Sequence, residues 1–529
     1  MSDSRSNVLI VGAGPTGLVL ALWLTRLGVR VRIIDKVAEP GTTSRAVAVQ
    51  ARTLEFYRQA GFSQAVVDAG VQVEGINLWA RSTKAVRVPV GNLGKGMSPF
   101  PYPLIYPQDA HERFLIQRLN DLGVKVERPS ELVRFDQRDD CVSAVIKRAD
   151  GSEEKYESAY LAGCDGSHSI VRETIGAGFP GGTYSGVFYV ADVVGTGPAA
   201  NDELHIGLDD ADFMLVLPMR GTGHLRLIGP AKWDDDRGPR ELTFDDISQR
   251  VIRNLKLDIT TVNWFSTYRV HHRVASKFRD RRAFLVGDAA HVHSPVGGQG
   301  MNTGIADAVN LAWKLAAVMR GDSPESLLAT YESERIGLAR RLVATTDRIF
   351  TFITKRGAIA RWVRTRLVPR IAPFMFRIPR VRRALFRIVS QTGINYRESA
   401  LSVGTTGNLR GGDRLPWVEF DADSDNFAPL ALLKWQVHVY GKSGTGVADT
   451  CTTLGLSLHE FAWGAEMARV GLQKGALYLI RPDGYIGLAD SAGDPQHLRD
   501  YFADIARIKL PSSPPSSQIT TPPRERSLT

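Results

Sequence analysis

Residues 7–35 leave this chain few ways to fold. Asn7 to Val11 reads as a buried strand, and Gly12-Ala13-Gly14-Pro15-Thr16-Gly17 follows at once. Leu18 to Leu27 reads as a helix ending at Gly28, and Val29 to Ile34 is a second strand that ends in Asp35. A strand, a GxGxxG turn, a helix, a strand and an acid about 20 residues on form the fingerprint of a dinucleotide-binding βαβ unit. Gly12 permits the tight turn, Gly14 lets the backbone approach a pyrophosphate at the helix N-terminus, and Gly17 lets helix and strand pack closely. Asp35 is placed to accept hydrogen bonds from a ribose 2′-hydroxyl. A carboxylate there argues against a 2′-phosphate, so FAD or NAD is expected at this site rather than NADP. The candidate contacts of this unit are Gly12, Gly14, Pro15, Thr16, Gly17, Asp35 and Lys36.

A second stretch, Gly287 to Asn302, reads GDAAHVHSPVGGQGMN. It follows a short apolar strand, Ala283 to Val286, and leads into an amphipathic helix from Thr303 to about Met319. Asp288 is thereby placed at a strand end, before a turn rich in Gly and Pro and a helix N-terminus near Gly300 to Asn302. Such a terminus offers unpaired N–H groups and the positive end of the helix dipole. A flat, electron-accepting ring such as an isoalloxazine can lie against glycines, and the helix end would stabilise its charge on reduction. An ordinary strand–loop–helix connection has the same outline.

Other segments carry less specific signals. The polar loop Thr43-Ser44-Arg45-Ala46 and the helix opening at Gln108, with Glu112 and Arg113, supply Arg45 and Gln108 as candidate ligand contacts. Tyr160 to Gly163 is an apolar strand ending in Cys164-Asp165-Gly166-Ser167-His168-Ser169, with Val171 and Arg172 on a helix beyond it. Asp165 could bind ribityl or phosphate oxygens, or belong to a plain Asp-Gly turn with an N-cap. Gly181 to His272 reads as a mostly antiparallel sheet inserted between two parts of the nucleotide domain. On its strand from Phe213, the residues Phe213, Leu215, Leu217 and Met219 alternate onto one face, as pocket lining or as core.

At 529 residues two or three domains are expected. The three cysteines are far apart and suggest neither a disulfide framework nor a zinc site, so no metal is expected. No secretory signal is visible, and the longest early apolar run, Leu18 to Leu24, falls far short of the ~20 residues that span a bilayer. A cytoplasmic location is expected. Much of the net charge of +10 sits between Arg348 and Arg397, which holds many Arg and no Asp or Glu. A membrane-surface or anionic-partner role fits such a segment, but solvated arginines on short helices fit it better, and a membrane partner is not the expectation. Aromatic platforms on a regular sheet are missing, which argues against nucleic acid.

After Arg397 a small α/β unit begins. Lys434 to Tyr440 reads as a strand, Leu456 to Ala468 as a helix, and Gly475 to Ile480 and Tyr485 to Ala489 as strands flanking the turn Arg481-Pro482-Asp483-Gly484. It holds no cysteine pair, so thiol redox work is not expected there. The Pro- and Ser-rich tail from Pro511 reads as disordered. The expected fold class is α/β. A Rossmann-like FAD-binding domain (1–180 and 276–397, with an excursion near 75–105) would enclose a β-sheet substrate domain (181–275), followed by a further domain (398–510) and the tail (511–529).

GAGPTG at Gly12, CDGSHSIVR at Cys164 and GDAAHVHSPVGGQGMN at Gly287, in this order, resemble the FAD-dependent aromatic hydroxylases, single-component flavoprotein monooxygenases. GDRLPW at Gly412 and RPDGYIG at Arg481 resemble the thioredoxin-like domain of the phenol and pentachlorophenol hydroxylase subgroup. The resemblance implies that Gly12, Gly14 and Gly17 hold the FAD pyrophosphate and Asp35 the adenosine ribose. It implies that Arg45 and Gln108 contact phosphate or ribityl oxygens and that Asp288 bonds the ribityl chain. It further implies that the backbone from Gly298 through Gly300, Met301 and Asn302 meets the flavin, that Pro295 lies near the site of oxygen addition, and that Asp165 and Arg172 serve FAD and NAD(P)H. Asp35 replaces the Glu more usual in the family.

The activity so implied is NADH- or NADPH-dependent hydroxylation of a small phenolic or other aromatic substrate with O2, through a flavin hydroperoxide. Modification of a polyketide or antibiotic scaffold is the first alternative, and a non-catalytic FAD-binding assembly protein the second. No sequence context selects a general base among His272, His291 and His293, and the catalytic residues stay open with Pro295 and His293 as candidates. A homodimer is compatible with the chain.

Overall fold

The computed structural model describes residues 7–41, 46–80, 83–208, 213–231, 242–354 and 362–505. Its organising sheet has six strands, in the order Arg279–Asp280, Ala283–Leu285, Tyr160–Gly163, Val8–Val11, Val31–Ile34 and Val126–Glu127. All neighbours are parallel except the first pair. Every residue of Val8–Val11 and Tyr160–Gly163 is buried, as expected of parallel strands covered on both faces. The helix Pro15–Arg26 packs on the helix Gly300–Met319. Their approach is close: a Cβ on Gly304 would lie 2.4 Å from Thr16 Oγ1.

The second sheet has eight strands, in the order His291–Val292, Asp258–Val274, Gly181–Thr196, His224–Pro230, Phe213–Pro218, Leu204–Leu208, Gly75–Ala80 and Thr83–Pro89. It is antiparallel apart from the pairing of Leu204–Leu208 with Gly75–Ala80. Leu217, Arg226, Asp192 and Trp264 face one another in register across four strands, and Leu215, Ile228, Val190 and Ser266 form the next row. Residues opposite each other share a face. Val190, Leu217 and Ile228 belong to the same core as Val8 and Leu18, so this face looks toward the first sheet. Met214, Val216, Leu225 and Leu227 point the other way, onto Val251, Ile252 and Leu255.

The C-terminal sheet runs Leu409–Arg410, Val403–Thr406, Ile486–Asp490, Leu477–Ile480, Gln436–Tyr440, Ser457–Phe461. Of the helix expected over Leu456 to Ala468, only the end is formed, as the short helix Ala465–Arg469. Ser457–Phe461 is an edge strand parallel to Gln436–Tyr440, and the connecting helix is Val447–Thr453. Leu458, Phe461, Ala462 and Ala465 have helical spacing, but pairing with a buried neighbour outweighs that local pattern.

This domain docks on the first through buried charges. Arg481 donates to Glu334 Oε1 at 2.8 Å and to Asp483 Oδ2 at 2.7 Å, and Lys314 Nζ lies 2.8 Å from Glu334 Oε2. All four side chains are buried, so each charge depends on its partners. No helix among the described residues is long and apolar enough to cross a membrane.

Candidate cofactor site

The three sequence motifs follow three adjacent parallel strands, Val8–Val11, Tyr160–Gly163 and Ala283–Leu285. They therefore emerge together at the carboxyl ends of one sheet, where open α/β folds bind ligands. Gly12 has φ +102°, and a Cβ on it would sit 2.3 Å from the Cys164 carbonyl oxygen. A Cβ on Gly17 would sit 2.0 Å from the Gly12 oxygen, whereas one on Gly14 would meet nothing within 4 Å. Packing within the protein thus excludes a side chain at Gly12 and Gly17, while Gly14 borders open space. The helix that begins at Pro15 has no side-chain cap on its N-terminal N–H groups.

Asp35 fixes this loop. Its carboxylate accepts the N–H groups of Ala13 at 2.7 Å and Val37 at 2.9 Å, and Arg128 Nη1 lies 3.3 Å away. Arg128 Nη2 also donates to the Ala13 carbonyl at 3.2 Å. Oδ1 faces both Val37 and Arg128, whereas Oδ2 accepts one N–H and keeps its second lone pair for a ribose hydroxyl. Lys36 beside it is exposed.

Asp165 lies against Gly12, whose Cβ would come within 2.9 Å of the Asp165 Cα. Asp165 Oδ2 accepts the Val171 N–H at 3.3 Å, and the buried Oδ1 has no hydrogen-bond partner within the protein. Burial raises the Asp165 pKa above the ordinary carboxylate value. Arg172 ties this segment to the third motif, donating to the Ala289 carbonyl at 3.1 Å and the Ser167 carbonyl at 2.8 Å. Asp288 is exposed on the turn next to Ala289.

The Gly287 turn is fastened from beneath by Asp307. The Asp307 carboxylate accepts the Gly287 N–H at 3.1 Å, lies 2.7 Å from His291 Nε2, and receives Arg335 Nε at 2.5 Å. Burial alone would raise the Asp307 pKa, but Arg335 and His291 outweigh it and hold the group ionised. Arg335 also donates to the Tyr396 hydroxyl at 2.7 Å and the Thr303 carbonyl at 3.1 Å.

His293 Nδ1 is 2.8 Å from the Ser294 carbonyl, so it carries the proton and leaves Nε2 as an acceptor. That Nε2 is buried without a partner, and burial lowers the His293 pKa to about 4. Pro295 is exposed at the turn that follows. Gly298 has φ +63°, and its Cβ would lie 2.7 Å from the Ala48 Cβ. Gly300 and Met301 open a helix with no side-chain cap. The Asn302 side chain is fully occupied. It accepts from the Gln50 N–H at 2.8 Å and Thr53 Oγ1 at 2.7 Å, and donates to the carbonyls of Ala48 at 2.9 Å and Gly298 at 2.7 Å. Only its backbone is available to a ligand.

Arg45 lies outside the described residues. The ends of its loop are held, Gly41 N–H by Glu112 at 3.2 Å and Ala46 N–H by Gln108 at 3.3 Å. Gln108 in turn donates to Glu112 at 2.8 Å. On the second sheet Leu215 and Leu217 lie on the face toward the cofactor domain, and Phe213 sits beside Phe188 with ring centroids 6.3 Å apart. Arg226, 1% exposed, pairs with Asp192 on that same face at 2.5 Å. No group of His, Cys, Asp and Glu side chains among the described residues could hold a metal ion.

Sequence reasoning missed Arg128, Asp307, Arg335 and Arg226. Asp307 did leave a signal: Asp307, Asn310 and Lys314 form an i, i+3, i+7 polar stripe in a helix that is otherwise apolar from Gly304 onward. The arginines left none, because their partners are distant in sequence.

The open side of Gly14, the unpartnered Asp165 oxygen and the two uncapped helix starts fit a dinucleotide that carries a flavin. Residues 5–346 match the FAD binding domain family. The chain is 35% identical to 6-methylpretetramide 4-monooxygenase of Streptomyces rimosus, over 91% of this chain and 90% of that protein. It is 31% identical to pentachlorophenol 4-monooxygenase of Sphingobium chlorophenolicum, over 79% of this chain and 76% of that one. The solved anhydrotetracycline hydroxylase from Streptomyces rimosus superposes with a TM-score of 0.75 at 27% identity, covering 95% of this chain and 99% of that chain. The chain belongs to the FAD-binding-domain family and is an FAD-dependent monooxygenase.

Proposed function

We propose that the protein uses NAD(P)H and O2 to hydroxylate an aromatic substrate of several fused rings, of the polyketide type. The observation that carries this reading is the sheet face running through Leu217, the Arg226–Asp192 pair and Trp264, with the apolar Leu215, Ile228 and Val190 alongside. Four strands span about 14 Å, longer than one benzene ring and suited to a multi-ring scaffold. The 35% identity to a monooxygenase named for 6-methylpretetramide supports the same class. The relative named for pentachlorophenol, at 31% identity, supports a single-ring phenol as the second reading.

In this proposal the N–H groups at the start of the Pro15 helix hold the FAD pyrophosphate, and Asp35 takes the adenosine ribose. Asp165 Oδ1 and Asp288 accept hydrogen bonds from the ribityl hydroxyls, joined by Gln108 and, by resemblance, Arg45. The backbone of Gly298, Gly300, Met301 and Asn302 borders the ring, with the positive helix end there favouring a negative charge. The chemistry supplied by bound FAD is reduction by NAD(P)H, activation of O2 and transfer of one oxygen atom to the ring. His293 Nε2, neutral at pH 7, is a hydrogen-bond acceptor rather than a proton store. The apolar residues of the sheet face exclude water, and Asp192, held by the buried Arg226 and itself partly exposed, orients a polar substituent of the substrate.

The C-terminal domain is, on this reading, thioredoxin-like. A parallel βαβ unit, an antiparallel hairpin and a closing helix, with spatial order Ser457–Phe461, Gln436–Tyr440, Leu477–Ile480, Ile486–Asp490, support that assignment.

The test is a panel of simple phenols and of tetracyclic and anthraquinone phenols, scored for stimulated NAD(P)H oxidation and product mass. A gain of one oxygen on a multi-ring compound is expected. Turnover of simple phenols alone would move the assignment to the second reading. Tight FAD binding with no stimulated oxidation across the panel would overturn both.

A further inference from the structure

The helices Val368–Arg377 and Pro379–Val389 are basic, and the first is amphipathic in an unusual sense. Ile371, Phe374, Met375 and the following Ile378 fall at i, i+3, i+4, i+7 and form one apolar stripe. In a soluble domain such a stripe faces the core. Here all four are exposed, Phe374 by 66%, and Trp362 and Ile388 are exposed nearby by 56% and 66%. Arg366, Arg370, Arg377, Arg380, Arg383 and Arg387 are exposed around them. Between residues 348 and 397 the sequence holds twelve Arg, one Lys and no Asp or Glu, so the remainder of the chain carries a slight negative charge.

We propose that this face docks on the surface of an anionic lipid bilayer. Apolar side chains that enter the acyl boundary, ringed by cations that meet headgroups, are the two signals needed for stable peripheral binding. With no crossing helix among the described residues, the helices would lie in the plane of the interface. A second copy of this chain fits poorly, because a two-fold contact would set two strongly cationic segments against each other. The exposed Phe374 and Trp362 stand on helices and form no sheet platform on which successive bases could stack, so the face offers little to nucleic acid.

The other side of the same hairpin is anchored. The Phe386 ring occupies the space over Gly94, where a Cβ would lie 2.2 Å from it, and Gln299 Nε2 donates to the Val389 carbonyl at 2.8 Å. The Val368–Arg377 helix packs against the edge strand Thr83–Pro89. The docking face is therefore built onto the substrate sheet and the cofactor turn rather than tethered loosely beside them.

The test is co-sedimentation of the full-length, FAD-loaded protein with vesicles of phosphatidylcholine alone, or of equal parts phosphatidylcholine and phosphatidylglycerol. Binding is expected only to the anionic vesicles and should weaken as salt rises. The doubly substituted Phe374→Asp/Ile388→Asp protein should bind them about tenfold more weakly, with flavin content and melting temperature retained. Equal binding to both vesicle types, no binding to either, or unchanged binding of the variant would each overturn the proposal. So would light scattering that shows the variant converting a dimer to a monomer, which would assign the stripe to a second copy.

Discussion

Arg172 Nη1 donates to the carbonyl oxygen of Ala289 at 3.1 Å, binding two segments 117 residues apart. The same guanidinium reaches the Ser167 carbonyl and lies 3.9 Å over the Phe179 ring. One side chain thus sets the spacing between the Asp165 and Asp288 turns. Arg172→Ala should weaken FAD affinity at least about tenfold, since hydrogen bonds to a charged group contribute about 1.5–3 kcal/mol. Arg172→Lys should recover only part of it, because an ammonium lacks the planar fork that spans two carbonyls. Fluorescence titration of the apoprotein with FAD checks both.

The glycines of the first motif should separate by phenotype. Gly17→Ala would push a methyl to 2.0 Å from the Gly12 oxygen and should lower the melting temperature of the FAD-free protein markedly. Gly14→Ala meets nothing within 4 Å, so the FAD-free protein should melt as the wild type does. Its loss should appear only on adding FAD, as weaker binding. Paired melting curves with and without FAD distinguish the two.

Asp307 joins His291, Arg335 and the Gly287 N–H in one buried cluster. Asp307→Asn leaves the Arg335 charge without its counter-ion, which costs about 3–5 kcal/mol at a buried pair. Urea unfolding should show a loss of that order, and FAD content should fall with it because the Gly287 turn is released. An unchanged unfolding midpoint would remove Asp307 from this role.

His293 and Asp307 contribute to the pH dependence alongside His111, His205, His438 and His459, whose pKa values burial also lowers. The folded His293 imidazole takes a proton only near pH 4, against 6.5 for the ordinary group. Between those values the unfolded chain binds a proton that the folded chain refuses, so stability falls as pH drops from 6.5 to 4. Asp307 has a lowered pKa, so its contribution is complete above the ordinary carboxylate value and is lost only as the pH falls below it. His293→Asn should reduce the slope between pH 6.5 and 4 in melting curves by its one-proton share, leaving the share of the other buried histidines.

The parts of this fold written in glycines and strand ends were readable in the sequence. Gly12, Gly17 and Gly287 are imposed by backbone conformation or by contacts with Cys164 and Thr16, and such limits leave a local trace. The alternation of Phe213, Leu215 and Leu217 was readable for the same reason, since a strand sends every second residue to one face. Arg226 lies directly across from Leu217, but strand pairing rather than local sequence puts it there. Arg335 meets Asp307 across a helix pair, and Arg128 reaches Asp35 across 93 residues, so neither could be read from spacing. The apolar spacing of the strand Ser457–Phe461 also fits a helix, and only its neighbour Gln436–Tyr440 decides between them.

The most direct measurement is FAD binding to the purified protein, followed by NAD(P)H oxidation with and without a multi-ring phenol. The account predicts one FAD per chain, a yellow protein, and faster NAD(P)H consumption with the phenol, together with a product one oxygen heavier. A protein that holds no FAD after gentle purification and supplementation would contradict it.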